Sequence, residues 1–284
     1  MLKEAKIKNI FPAKPTLEGA GVKLKRVFGF NEKEVVDPFL LLDHFGSDKP
    51  EDYQLGFPWH PHRGIETITY MINGEVKHED SLGNKGTIKS GDIQWMTAGS
   101  GIIHQEMPQK YKGEMKGFQL WANLPKKDKM INPKYRDIQA TQIPEVKISN
   151  AVTIKVIAGQ INGVTGPVKD IIIRPLYFDV IIKPNGKFDF QLPMNQTSFI
   201  YVFEGEAQVG SKNAKTIAKE NAALFDDGND LKINATEKGS RFLLISGQPL
   251  KESIAWSGQI VMNTQAELDV AFKELRNNTF IKHK

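Results

Sequence analysis

The sequence predicts an all-β protein: two tandem antiparallel β-barrels of the jelly-roll type, closed by one short C-terminal helix. Short apolar and β-branched runs recur with turn signals about every 8–12 residues, the pattern of a sandwich or barrel. The second half repeats the grammar of the first, since Phe199-Ile200-Tyr201-Val202-Phe203-Glu204-Gly205-Glu206-Ala207 echoes Ile68-Thr69-Tyr70-Met71-Ile72-Asn73-Gly74-Glu75-Val76. Helical spacing with start signals is clear near the C-terminus. A chain of 284 residues also exceeds the usual size of one domain, roughly 150 residues.

Taken in order, residues 1–8 alternate apolar and charged side chains and read as an edge strand, not a signal peptide, with the first short strand at 6–10. Strands follow at 22–28 and 39–45, then a charged, proline-bearing loop at 47–58. Pro61 cannot donate to a ladder, so the strand around Trp59-His60-Pro61-His62 is expected at an edge or a bulge. Residues 67–72 are β-rich, and Asn73-Gly74 is the sequence signal of a two-residue hairpin turn, returning through 75–79. Turns at 83–86 and 90–92 precede strands at 93–97 and 118–124. Residues 126–136 break the pattern and read as a solvated linker, which divides the chain into domains 1–137 and 138–284. Thr264 and Glu267 form a capping box ahead of Leu268, Ala271, Phe272 and Leu275 at helical spacing, predicting an amphipathic helix packed on the barrels.

Composition removes several chemistries. There is no cysteine, which excludes disulfides, thiol nucleophiles, zinc-thiolate sites and iron-sulfur clusters, and fits a reducing cytoplasm. No run of about 18 apolar residues occurs, so no membrane span is expected. The net charge of +5 is spread along the chain, and the cluster Lys126, Lys127, Lys129, Lys134, Arg136 lacks aromatic interleaving, so direct nucleic-acid binding is not expected.

The chemistry concentrates in two short stretches. In a strand, residues i and i+2 share a face, so His60 and His62 project together, as do His104 and Glu106. One His-x-His pair alone reads as a loop end. Two such pairs within one barrel's length of chain, each beside glycines, point to a metal site of three imidazoles and a carboxylate. Such a set leaves Fe(II) a net charge of about +1 and two open positions in six-coordination, whereas Zn would form a closed structural site with the same four ligands; Mn, Ni and Cu also suit it. Glu66 is a rival acid of the same parity as His62, but in a regular strand it stands about 13 Å away at roughly 3.3 Å per residue, so it reads as a second acid or base unless a bend at Arg63-Gly64 brings it in as a ligand. Gln94, Thr97, Gln105 and Gln119 are candidates to orient the imidazoles. His44 and His78 have no partner at ligand spacing and read as surface or structural residues. The second half has Gln191 and Pro193 where His60 and His62 stand, so it lacks the site.

The stretches Phe57-Pro58-Trp59-His60-Pro61-His62-Arg63-Gly64, Gly91-Asp92-Ile93-Gln94-Trp95-Met96-Thr97-Ala98-Gly99, Gly101-Ile102-Ile103-His104-Gln105-Glu106-Met107-Pro108, Gly117-Phe118-Gln119-Leu120-Trp121 and Val261-Met262-Asn263-Thr264 together resemble the pirin family of the cupin superfamily. The resemblance implies a bicupin fold with one iron in the N-terminal barrel, held by the residues matching His60, His62, His104 and Glu106, and none in the C-terminal barrel. It also implies two alternative activities. One is a quercetin 2,3-dioxygenase-like oxidoreductase acting on a small aromatic, enolisable substrate and O2; for that activity this sequence offers Glu106, or Glu66 if it reaches the pocket, as base and Phe57, Trp59, Trp95 and Phe118 as aromatic walls. The other is a non-enzymatic iron-binding redox sensor that acts as a regulatory cofactor by binding a protein partner.

Overall fold

The computed structural model describes residues 3–169 and 171–283. The chain divides into two compact units, Lys14–Ala140 with Leu250–Lys284, and Met1–Ala13 with Thr141–Pro249. Each unit thus takes one terminal segment from the opposite end of the chain, which a division into contiguous halves at residue 137 does not contain.

In chain order the strands of the first half are β1 (Ile7–Pro12), β2 (Lys14–Glu18), β3 (Val22–Phe28), β4 (Phe39–Ser47), β5 (Phe57–His62), β6 (Ile65–Asn73), β7 (Glu75–Asp80), β8 (Lys85–Lys89), β9 (Ile93–Thr97), β10 (Ile102–Pro108), β11 (Met115–Asn123) and β12 (Lys134–Ile138). The second half carries β13 (Glu145–Lys147), β14 (Val152–Ala158), β15 (Gln160–Ile161), β16 (Val164–Thr165), β17 (Leu176–Ile182), β18 (Lys187–Gln191), β19 (Thr197–Val209), β20 (Lys215–Ala218), β21 (Asn221–Phe225) and β22 (Asp230–Gly247). A small pair, β23 (Ala255–Ser257) and β24 (Ile260–Met262), leads into helix α1 (Gln265–Arg276). Both units are therefore strand-built, as expected, and among the described residues no helix is long and apolar enough to cross a membrane.

The duplication holds at the level of topology. One unit has a sheet ordered β12-β9-β6-β11-β4-β3-β2 and the other β1-β21-β19-β22-β17-β14-β13, the same sequence of equivalent strands. β1 occupies the edge position in its unit that β12 occupies in the other, so the expected N-terminal edge strand is an edge, but of the sheet built by the second half.

Where the units differ decides where a site can form. β19 runs unbroken for 13 residues and β22 for 18. In the other unit the corresponding path breaks into β6 and β7, and into β10 and β11, and the freed segments assemble a separate four-stranded sheet, β5-β10-β7-β8. The expected Asn73-Gly74 hairpin is thus absent: β6 pairs β9 and β11, whereas β7 pairs β10 and β8. Gly74, at φ +109°, turns the chain from one sheet to the other, and its N–H donates to the Ser90 hydroxyl at 2.9 Å instead of to a strand partner. β5 does lie at a sheet edge, as Pro61 requires.

Residues 126–136 are not a solvated linker. They contain a 3-10 turn at Lys126–Asp128 and begin β12. Lys129 is 1% exposed, and its ammonium donates to Gly64 O at 2.9 Å, Asn123 Oδ1 at 2.7 Å and Val261 O at 2.9 Å. Burial pushes Lys129 down to about 7, against the pull of the Glu252 and Glu267 carboxylates. The result pins the β5–β6 turn to β24. Gly64 there sits at φ +77°, and a Cβ on it would run into the Val261 carbonyl.

Arg63, the residue after His62, is also buried. Its guanidinium donates to Ser100 O at 2.7 Å and Phe280 O at 3.0 Å, pairs with Glu274 at 2.7 Å and lies over the Phe280 ring. The helix forms as predicted: Thr264 and Glu267 make the reciprocal capping box, and Leu268 and Ala271 pack with Ile260, Met262 and Phe280. Replacing Lys129 by Met leaves three buried acceptors without their donor and should lower stability in urea denaturation by roughly 2–4 kcal/mol. The exposed neighbour changed as Lys127→Met should stay within about 0.5 kcal/mol of the parent.

Candidate metal centre

β5, β10 and β7 are adjacent, and their register fixes which side chains share a face. His60 stands opposite His104, which stands opposite Asp80; Phe57 stands opposite Glu106, which stands opposite His78. Burial along β10 alternates strictly, with Ile102, His104, Glu106 and Pro108 inside. The β10 ladder to β5 is irregular between His104 and Glu106, a bulge of the kind that re-aims side chains.

The three expected imidazoles converge. One nitrogen from each of His60, His62 and His104 lies within 4.8 Å of the others, the one such group of metal-binding side chains among the described residues. The ring centroids are 4.3–4.9 Å apart. Their tautomers follow from their outer partners. His60 Nδ1 is 2.8 Å from Pro58 O and His62 Nδ1 is 3.3 Å from Gln259 O, and a carbonyl can only accept, so both Nδ1 atoms carry the proton. That leaves two Nε2 lone pairs facing each other at 3.1 Å, and the buried His104 Nε2 has no hydrogen-bond partner.

Electrostatics reinforce this. Burial, followed by the neighbouring imidazoles, holds His62 and His104 well below the ordinary histidine value, and burial also lowers His60. Three neutral, unprotonated nitrogens pointing at one spot repel one another unless a cation lies between them. The donor set fits a metal ion.

Glu106 shares the inner face of β10 and lines the same cavity. Its Oε1 accepts from the Thr69 hydroxyl at 3.0 Å, and that hydroxyl lies 2.6 Å from the Gln119 amide. The carboxylate is not a member of the tight three-histidine group. It stands at the cavity wall with one oxygen held by Thr69.

The cavity, about 270 Å³, is bounded on one side by His60, His62 and Glu106 and walled mainly by apolar groups, among them Phe57, Trp121 and Trp256. Trp121 packs edge-on to His62 at 5.1 Å and 5.9 Å from Trp256. A polar patch, Arg26 forked onto Asp43 at 2.8 and 2.9 Å, also lines it, and burial pushes the Asp43 carboxyl up to about 6 against the pull of Arg26.

Of the four expected aromatic walls, Phe57 alone lines the cavity. Strand parity explains the other three. Gln119 and Trp121 face the cavity, so Phe118 faces away, against His44 and Tyr70. Trp95 registers with Ile68, one step out of phase with the cavity-facing Thr69, and Trp59 alternates away from His60 and is 51% exposed. Glu66 is three residues from Thr69 and therefore on the opposite face of β6, where Oε1 accepts from Thr97 at 2.6 Å; it does not reach the cavity. Of the candidate orienting residues, Gln119 lies beside the Thr69–Glu106 bond, while Gln94 bonds Tyr135 and Thr97 bonds Glu66.

His78 is where the sequence reading falls short. It is buried against His104, with Asp80 beside it. The signal was present: His78-x-Asp80 is a third pair at i, i+2 spacing, on the strand that follows Gly74. Thr69, Trp121 and Trp256 carried no comparable mark.

Two families match the chain, Pirin over residues 21–122 and the Pirin C-terminal cupin domain over residues 177–281. A Pseudomonas aeruginosa protein provisionally named quercetin 2,3-dioxygenase is 41% identical over 267 residues, 93% of each chain. A pirin-like protein of Caulobacter vibrioides is 39% identical over 272 residues, 95% of this chain and 97% of that one. Among solved structures, quercetin 2,3-dioxygenase from Acinetobacter baumannii superposes with a TM-score of 0.90 at 32% identity, covering 98% of both chains.

The depressed histidines set a pH dependence. An unfolded chain binds protons at these imidazoles near the ordinary value of 6.5, while the folded chain takes them up only at lower pH. The unfolded state therefore binds more protons at these imidazoles below pH about 6.5, and their contribution to the stability of the metal-free protein should fall as pH drops through that range. Urea midpoints from pH 8 to pH 5 measure this; a flat profile would contradict it.

Proposed function

The chain belongs to the pirin family of cupin proteins, and from that premise we propose that it is a metal-dependent dioxygenase that opens the ring of a flavonol such as quercetin, or of a similar enolisable aromatic compound, with O2. The observation that carries this reading is the convergence of three unprotonated imidazoles, His62 and His104 buried and His60 half-buried, beside an apolar cavity that His60 and His62 line. His60, His62 and His104 would hold the ion, with Glu106 from the same face of β10 as the fourth ligand.

Fe(II) is the metal proposed, because three neutral nitrogens and one carboxylate leave it open positions for exogenous oxygen ligands. Once bound, the ion would act as a Lewis acid that lowers the pKa of the substrate hydroxyl and would supply the redox chemistry toward O2.

The remaining work falls to the chain's own residues. Phe57, Trp121 and Trp256 offer flat apolar surfaces that seat an aromatic substrate and exclude water from it. Thr69 holds Oε1 of Glu106, so the carboxylate presents its other oxygen to the cavity, where it can take the substrate hydroxyl proton. Solved relatives under the name quercetin 2,3-dioxygenase support the substrate class.

Iron-loaded protein mixed anaerobically with quercetin and then exposed to O2 should yield ring-cleavage product and carbon monoxide. An inert mixture with Fe, Mn, Ni, Cu and Zn in turn would remove flavonols as substrates. His104→Ala should bind less than a tenth of the parent's metal by elemental analysis and show no O2 uptake, consistent with loss of one of few ligands.

A further inference from the structure

Two buried groups have no part in the reaction as described. His78 is 1% exposed and Asp80 is 5% exposed, and both stand on the inner face of β7, directly behind β10. His78 Nδ1 lies 3.4 Å from His104 Nδ1, and His78 Nε2 lies 3.4 Å from Asp80 Oδ2. The Asp80 carboxylate is itself fixed. Its Oδ1 accepts from the backbone N–H of Leu82 at 2.9 Å and of Asn84 at 3.0 Å, and its Oδ2 accepts from Asn84 Nδ2 at 2.9 Å. The Tyr135 ring covers the outer side of His78 at 4.8 Å.

With His78 neutral, these contacts leave one consistent arrangement of protons. An ionised carboxylate only accepts, so His78 Nε2–H donates to Asp80 and His78 Nδ1 is left as an acceptor. His104 Nδ1 must then carry the proton, and the His104 Nε2 lone pair faces His60 and His62. For His60 and His62 the same choice is made by the main-chain carbonyls of Pro58 and Gln259. His104 is the member of the trio whose outer partner is a side chain.

We propose that His78 and Asp80 are positioning residues for His104: the chain Asp80–His78–His104 locks the ring orientation and tautomer in which His104 can bind a metal. The inference rests on the metal-centre reading above. Outer partners of this kind strengthen a histidine ligand by fixing its tautomer, and losing one typically costs about 10–100-fold in metal affinity.

The test uses the full-length protein with Co(II) as the probe, read by its ligand-field spectrum and by its rate of loss to a chelator, with the melting temperature of each metal-free variant measured alongside. His78→Phe keeps an aromatic ring but no acceptor, and should lose Co(II) about 10–100 times faster with a shifted spectrum. In His78→Gln the amide oxygen can accept from His104 and the amide nitrogen can donate to Asp80, so it should stay close to the parent. Asp80→Asn keeps the loop contacts at Oδ1 but turns an N–H toward His78, which reverses the His78 tautomer and should weaken Co(II) retention; it serves as the test if His78→Phe does not fold. Parent-like retention and spectrum in His78→Phe or Asp80→Asn would overturn the proposal, as would equal loss in His78→Gln and His78→Phe, the mark of a packing role. A parent that takes up no Co(II) would instead overturn the metal reading, and this inference with it.

Discussion

The site depends on a single constraint, the two-residue period of a strand applied across three neighbouring strands in register. Because β5, β10 and β7 pair as they do, every second side chain of each faces one interior, and His60, His62, His104, Glu106, His78 and Asp80 are brought to that interior together. A slip of one residue in β10 would send His104 and Glu106 to the other face and bring Ile103 and Gln105 inward. The same parity removes Phe118, Trp95 and Glu66 from the cavity while admitting Gln119, Trp121 and Thr69.

The duplicated strands differ in one respect that decides which unit carries the histidines. The equivalent strands follow the same order in both, but the long β19 and β22 stay inside one sheet, while Gly74 and the segment between β10 and β11 divide the other path into two sheets. A cavity opens where the sheets separate. The second unit has an apolar core that includes Phe178, Phe188, Val202, Leu231 and Phe242.

Holding imidazoles neutral in a dry interior has a structural cost, since each lone pair needs a partner or a cation and each ring needs a fixed outer contact. Main-chain carbonyls serve His60 and His62, and His78 serves His104. The frame behind them is tied down by two buried basic side chains. Lys129 bridges the Gly64 turn to β24, and Arg63 fastens the residue beside His62 to Ser100, Glu274 and Phe280. The C-terminal segment is thereby part of the unit that carries the histidines, although it lies some 200 residues later in the chain, as His62 and Gln259 show.

By itself the sequence determined the strand-built duplicated architecture, the capped C-terminal helix and the convergence of His60, His62 and His104, because these depend on local periodicity and on residue types that few other roles require. It also carried the edge position of β5, which Pro61 imposes. The sheet change at Gly74, the burial of Lys129 in a stretch that reads as solvated, the exchange of terminal segments and the place of His78 behind His104 were decided by tertiary structure. Each depends on which distant strand lies alongside, and a glycine, a lysine or a histidine has the same local signature whether its neighbour is water, a carbonyl or another imidazole.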